Sequence, residues 1–286
     1  MRPLGAAGWL GLALLALGQL LTLVHLRPLS DSWYGLCWTG VILVGDAWLR
    51  RRGAPSLVRD RPLELAAMAL TSAALWWGLE LANHSMQAWD YSASPDIPLW
   101  RQRLRSTWFF ATLIPGVWIT GAVTVELLRD ASWVRRPSRS IPRWARGSLA
   151  LLGLGLLALA PWQPRLALGL ILLGLVLVCD PINAARGRPS LLAALETGDL
   201  RAPLGFAIGA MASGIVGEAW NYPASPKWTY DVPYIDFAHV FELPALGLLG
   251  YGLLSWAVFC VYHFVRPRGL ASAATRPEDA LALTGL

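Results

Sequence analysis

The sequence predicts an all-α, polytopic integral membrane protein of about eight transmembrane helices, arranged as two tandem parallel four-helix repeats. Three observations predict it. Of 286 residues, 55% are hydrophobic and 15% charged, and the apolar residues fall into blocks of about twenty, the length that crosses a ~30 Å hydrocarbon layer. Asp46, Arg52, Gly53, Pro55, Ser56 and Leu57 recur as Asp180, Arg186, Gly187, Pro189, Ser190 and Leu191 at a constant offset of 134. Glu80, Asn83, Trp89 and Tyr91 fall in the order and nearly the spacing of Glu218, Asn221, Trp228 and Tyr230. A unit of four spans repeats in the same orientation because four is even, which relates the halves by an axis along the membrane normal.

The first block, 8–26, follows Arg2 in the manner of a signal peptide, but the residues after it lack a small-x-small cleavage pattern, so it is kept as a span. The second, 33–49, ends at the arginines 50–52, and the third, 63–82, leads into the Glu80 motif. The fourth, 108–128, carries Pro115. Blocks 147–162 and 166–181 are near the short limit for spanning. The seventh, 204–220, ends in the Glu218 motif. The eighth, 239–264, opens with His239, Glu242 and Pro244; it reads as a helix kinked at the proline, with His239 and Glu242 three apart on one face.

The connector 129–146 is basic, broken by proline and bears tryptophan, as suits a cytoplasmic linker lying on the membrane surface. It divides a first repeat, 1–128, from a second, 147–268; the small, polar tail 269–286 reads as disordered. Alternating the eight spans puts 18 of the 24 Lys and Arg on the side of both termini and 6 on the other. The positive-inside rule then makes both termini cytoplasmic in a multi-pass cell-membrane protein. The pI near 9.6 reflects this topology and anionic headgroups, so no nucleic-acid partner is expected.

Cys37, Cys179 and Cys260 lie inside spans without CxxC or CxH spacing and read as packing residues. His25, His84 and His239 share a side with Glu80, Glu218 and Glu242, yet no ligand spacing accompanies them, so no metal is expected. No phosphate loop, nucleotide fingerprint, serine elbow or haem spacing appears, and no cofactor is expected.

The chemistry gathers in 217–251 and, in weaker form, after Glu80. Both stretches fall to the extracytoplasmic side. Glu80 with Asn83, and Glu218 with Asn221, each share a helix face, and a carboxylate near membrane depth is a functional candidate by default. Trp33, Trp100, Trp108 and Trp162 read as an aromatic belt, and Asp46 and Asp180 as capping or ion-pair residues.

Glu218, then Trp228-Thr229-Tyr230-Asp231, then Phe241-Glu242-Leu243-Pro244 resemble the integral-membrane lycopene cyclase domain, which occurs as paired or fused copies in carotenoid pathways. The resemblance implies a lipid or isoprenoid substrate and acid-initiated cyclisation or isomerisation. Glu218 or Glu242 would be the acid, Glu80 or His239 the base, and Trp89, Trp228 and Tyr230 the walls that stabilise a carbocation, with Asn83, Tyr91 and Asn221 completing the substrate site. Two other classes stay open: a transporter or lipid-binding membrane protein whose acids hold a proton, cation or amine headgroup, and a structural subunit of a membrane complex. The oligomeric state, and whether the repeats form one site or two, also stay open.

Overall fold

A computed structural model describes residues 4–91, 97–232 and 234–266. The chain is mostly helical. Its elements in order are α1 (Gly5–Val24), α2 (Trp33–Arg51), α3 (Pro62–Met86), β1 (Trp89–Tyr91), α4 (Leu99–Ala111), α5 (Leu113–Leu127), α6 (Arg143–Leu159), α7 (Ala167–Ala185), α8 (Leu191–Thr197), α9 (Arg201–Asn221), β2 (Trp228–Tyr230), β3 (His239–Val240), β4 (Leu243–Pro244) and α10 (Leu248–Val265). The tail 269–286 lies outside the described residues.

Seven helices among the described residues are long and apolar enough to cross a membrane: α1, α3, Leu99–Leu127 (α4 with α5), Arg143–Trp162, Pro164–Ala185, α9 and Ala245–Val265. The one expected span not among these seven is the second, 33–49, which corresponds to α2. The helix is 19 residues long, but its tryptophans, Asp46, Arg50 and Arg51 make it less apolar than the others.

The segment expected to open the last span is not helical. His239 and Glu242 belong to a β-hairpin in which His239 pairs with Pro244 and Val240 with Leu243, and α10 starts only at Leu248. The residue before a proline is pushed out of the helical region, which sets Leu243 extended. Phe241, at the tip, takes a positive φ of 61°, as a two-residue hairpin turn requires. The i, i+3 helical face expected for His239 and Glu242 therefore does not form.

Pro115 acts differently. Without an N–H it cannot bond the Ala111 carbonyl, and the helix breaks there into α4 and α5. Ser72 of α3 fills the break: its hydroxyl donates to the Phe110 carbonyl and accepts from the Ile114 N–H at 2.9 Å. Together α4 and α5 run over 29 residues. At ~1.5 Å per residue that is about 43 Å, longer than the ~30 Å hydrocarbon layer.

Two compact units divide the chain, Met1–Ile119 with Ala212–Leu248 and Thr120–Met211 with Leu249–Leu286. In the first, α1 and α2 approach so closely that a Cβ on Gly11 would lie 3.0 Å from the Gly40 carbonyl. Asp46 accepts from the Ser56 hydroxyl at 2.5 Å and the Leu57 N–H at 2.6 Å, holding the turn that leads to α3. In the second, a Cβ on Gly153 of α6 would lie 2.9 Å from the Gly174 carbonyl of α7. Asp180 accepts from the Leu191 and Leu192 N–H groups at 2.6 and 2.8 Å, and Ser190 caps α8 through the Ala193 N–H. Small residues that let helix backbones meet, and side chains that satisfy freed backbone groups, are what an apolar surrounding demands.

The connector 129–146 is bound along its length within the second unit. Val134, fully buried, accepts from the Leu200 N–H at 3.0 Å; the Arg136 N–H donates to the Gly198 carbonyl at 2.8 Å and the Arg139 N–H to the Glu196 carbonyl at 2.9 Å. Glu196 takes the Ile141 N–H at 3.1 Å and the Arg146 guanidinium. These bonds hold the Glu196 carboxyl below the usual range, the Arg146 hydrogen bond foremost.

Gly198 has φ +77° and its Cβ would fall 1.8 Å from the Arg136 carbonyl oxygen, whereas Gly187, at φ +63°, has open space around it. Gly187→Ala is expected to cost about 1 kcal/mol from backbone strain alone. Gly198→Ala must also displace the connector and is expected to lower the unfolding temperature in detergent several-fold further. Equal shifts for the two variants would show that the connector bonds contribute little.

Candidate functional site

The first unit brings the two polar motifs together. α3 ends at a left-handed Gln87, whose N–H donates to the Asn83 carbonyl at 2.8 Å. The Asn83 side chain then catches the returning chain: Oδ1 accepts from Ala88 N–H at 2.9 Å, and Nδ2 donates to the Trp89 carbonyl at 2.8 Å. Asn221, the last residue of α9, does the same to β2, accepting from Trp228 N–H at 2.9 Å and donating to the Trp228 carbonyl at 2.8 Å. Each asparagine replaces the bonds a helix end would lose where water is scarce.

The two strands so held pair with each other. β1 and β2 are antiparallel, with Trp89 opposite Tyr230, Asp90 opposite Thr229 and Tyr91 opposite Trp228. The register is that of a two-fold axis through the Asp90–Thr229 pair. Because side chains alternate along a strand and directly opposed residues share a face, Trp89, Tyr91, Trp228 and Tyr230 all emerge on one side of the ribbon.

Each Trp–Tyr pair closes on its own glutamate. Glu80 Oε1 accepts from Tyr91 OH at 2.7 Å and Trp89 Nε1 at 3.2 Å. Glu218 Oε1 accepts from Tyr230 OH at 2.7 Å and Trp228 Nε1 at 3.2 Å, and Trp228 Nε1 also donates to Tyr230 OH at 2.8 Å. Their surroundings differ. Glu218 and Asn221 are 0% exposed, while Glu80 and Asn83 are half-buried and Tyr91 is 43% exposed. Over the Glu218 copy, Trp33 stacks on Trp228 with centroids 5.7 Å apart and Tyr34 meets the same ring edge-on at 5.6 Å. Trp76 lies against Trp89 at 6.0 Å.

The Tyr91 hydroxyl is taken up by Glu80 although its ring is partly open. Burial, reinforced by the negative charge of Glu80, pushes this phenol above the usual tyrosine range.

The remaining candidates have other partners. Glu242 forms an ion pair with Lys227, and the exposed His239 bonds Asp236 at 2.8 Å. The two alternatives for the acid, Glu218 and Glu242, thus have different partners. His84 is exposed at the end of α3. Trp33, expected in an aromatic belt, is 3% exposed and packs inward with Leu21, Cys37 and Ala224; Trp100 and Trp162 are exposed. Trp33 and Tyr34 are the site residues that sequence reasoning missed, and the apolar run around them gave no periodic signal that they turn inward. Among the described residues no three His, Cys, Asp or Glu side chains gather as metal ligands.

No family model matches the chain, and neither a curated protein nor a solved structure does.

Asn221→Ala removes the two bonds that the asparagine side chain makes to the Trp228 backbone and leaves partly buried backbone groups unsatisfied, at about 1–3 kcal/mol each. It is expected to unfold at a clearly lower temperature than Asn83→Ala, whose site is half open; the reverse order would show that burial does not set the strength of these bonds. Tyr91 is expected to remain un-ionised through about pH 10, where free tyrosine titrates. Its shift favours the folded state below that pH and loses its effect as pH rises further, because the unfolded chain ionises first. Absorbance at 295 nm, wild type against Tyr91→Phe, tests this, and a Tyr91 step near pH 10 would refute it.

Proposed function

We propose that this chain is a multi-pass membrane enzyme that isomerises or cyclises a lipid or isoprenoid at the extracytoplasmic interface, with Glu80 as its working acid and base. Two four-helix repeats, both termini cytoplasmic, form the scaffold. The duplication is supported by the recurrence of the glycine contact, the aspartate that holds a Pro-Ser-Leu turn, and the asparagine-held Trp-x-Tyr strand.

One observation carries the functional reading: the two copies share their hydrogen bonds, yet Glu218 is sealed by its own aromatics while Glu80 and Tyr91 open outward. The sealed copy then anchors the ribbon and the open copy meets substrate. A protonated Glu80 transfers its proton to a carbon–carbon double bond; the faces of Trp89 and Tyr91 stabilise the resulting cation; and the carboxylate recovers a proton from a neighbouring carbon. The net change is a shifted or newly closed bond with no redox partner. Glu242, tied to Lys227, and His239, tied to Asp236, have no step in this scheme.

A second reading, a lipid-binding protein without catalysis, is favoured by a cationic groove beside α4, lined by Arg101 and Arg105.

Membrane lipids and pigments from cells expressing wild type, Glu80→Gln or Glu218→Gln, compared by mass spectrometry at equal amounts of folded protein, separate the two. A product lost in Glu80→Gln and kept in Glu218→Gln is expected. Identical profiles from all three would remove the enzyme reading. For orientation, a membrane-impermeant maleimide applied to whole cells is expected to label Arg165→Cys but not Arg139→Cys against the three buried native cysteines; the opposite pattern would invert the topology.

A further inference from the structure

We propose that the groove between the α1–α2 connection and α4 binds the phosphate of a lipid headgroup. The groove has a volume of about 540 Å³ and lies within the first unit, a size that suits a headgroup and the first part of an acyl chain. At its base Asp31, 3% exposed, lies between two guanidinium groups, with Arg105 at 3.4 Å and Arg27 at 3.7 Å. Arg101, one turn before Arg105 on α4, lines the same groove and is exposed. Leu104 and Trp108 supply an apolar wall on that helix.

The charge balance points to an anion. Arg101 and Arg105 line the groove, Arg27 and Arg105 meet its one buried acid, Asp31, and Arg103 lies between the two lining arginines in the α4 sequence, so among the described residues the excess is positive. These four are also most of the six basic residues on the side that the positive-inside rule leaves poor in charge. Topology therefore does not ask for them there. The Arg105 Nε is buried without a hydrogen-bond partner, and its fork has only Asp31 as an acid within reach among the described residues. A planar guanidinium held by a carboxylate on one side and open to a groove on the other is suited to donate to a phosphate oxygen.

Depth selects a lipid as the source. The start of α4 stands at headgroup level because the α4–α5 helix exceeds the hydrocarbon thickness, and the Leu104–Trp108 wall continues from the arginines towards the apolar part of the helix. A phospholipid would place its phosphate among Arg27, Arg101 and Arg105 and its chain along that wall. The inference rests on the membrane-spanning reading and not on catalysis by Glu80, so it stands or falls separately from enzyme activity.

The test uses the full-length protein in neutral detergent and measures binding of short-chain phosphatidic acid, short-chain diacylglycerol without phosphate, and inorganic phosphate. Saturable binding of phosphatidic acid is expected, at least tenfold tighter than either control, weakened at least tenfold by Arg101→Gln and unchanged by Arg165→Gln. Leu104→Glu, which sets a negative charge on the wall, is expected to weaken it as much, and circular dichroism confirms that each variant is folded. Inorganic phosphate binding as tightly as the lipid would assign the groove to the free anion and overturn the lipid. Diacylglycerol binding equally, or no effect of Arg101→Gln, would overturn the phosphate.

Discussion

Two asparagine side chains decide the geometry of the first unit. A helix that ends near an apolar layer leaves carbonyls and N–H groups that water cannot satisfy there, and Asn83 and Asn221 each bond the N–H and the carbonyl of the segment that follows. Everything above them follows from this. Strands of only three residues have too few ladder bonds to persist alone; here each is fixed to a long helix at one end and to the other strand along its side. Four aromatic side chains are thereby presented on one face, and a glutamate from each helix meets a tryptophan and a tyrosine without either helix having to unwind.

The same local chemistry in two settings gives two roles. A carboxylate with no exposure, bonded by an indole and a phenol and covered by Trp33 and Tyr34, holds helix to strand. The half-open copy keeps those bonds but offers its edge to whatever lies beside it. On the proposed reading, a recurring motif permits this division: the closed copy anchors the ribbon and the open one meets substrate. The groove lined by Arg101 and Arg105 adds positive charge beside the apolar Leu104 and Trp108 of α4.

How much of this was legible depended on the kind of signal. The helices and the paired Glu–Asn–Trp–Tyr motifs stood out because polar residues interrupt long apolar runs, and Asp46 and Asp180 were marked by their neighbouring Pro-Ser-Leu turns. The β3–β4 hairpin was hidden: His239 and Glu242 have helical spacing, and nothing in the residue Phe241 announces a positive φ. Trp33 at a helix start looks the same whether it faces headgroups or folds inward, since its stacking partner, Trp228, is distant in sequence. The connector was legible as basic and proline-broken, but its attachment to residues 196–200 is made mostly by backbone groups, which leave no trace in residue type.

The pairing of β1 with β2 also has a consequence for assembly. A slip by one residue would turn every side chain of one strand over. Asp90 or Thr229 would then face the glutamates, and an indole and a phenol would be left on the outer side with no carboxylate to meet. Unlike a helix, which can rotate by small steps and recover most of its contacts, this ribbon has one arrangement that satisfies all six residues. It acts as a lock whose key is cut into both halves of the chain, closing only after Tyr91 and Trp228, with residues 92–227 between them, have met.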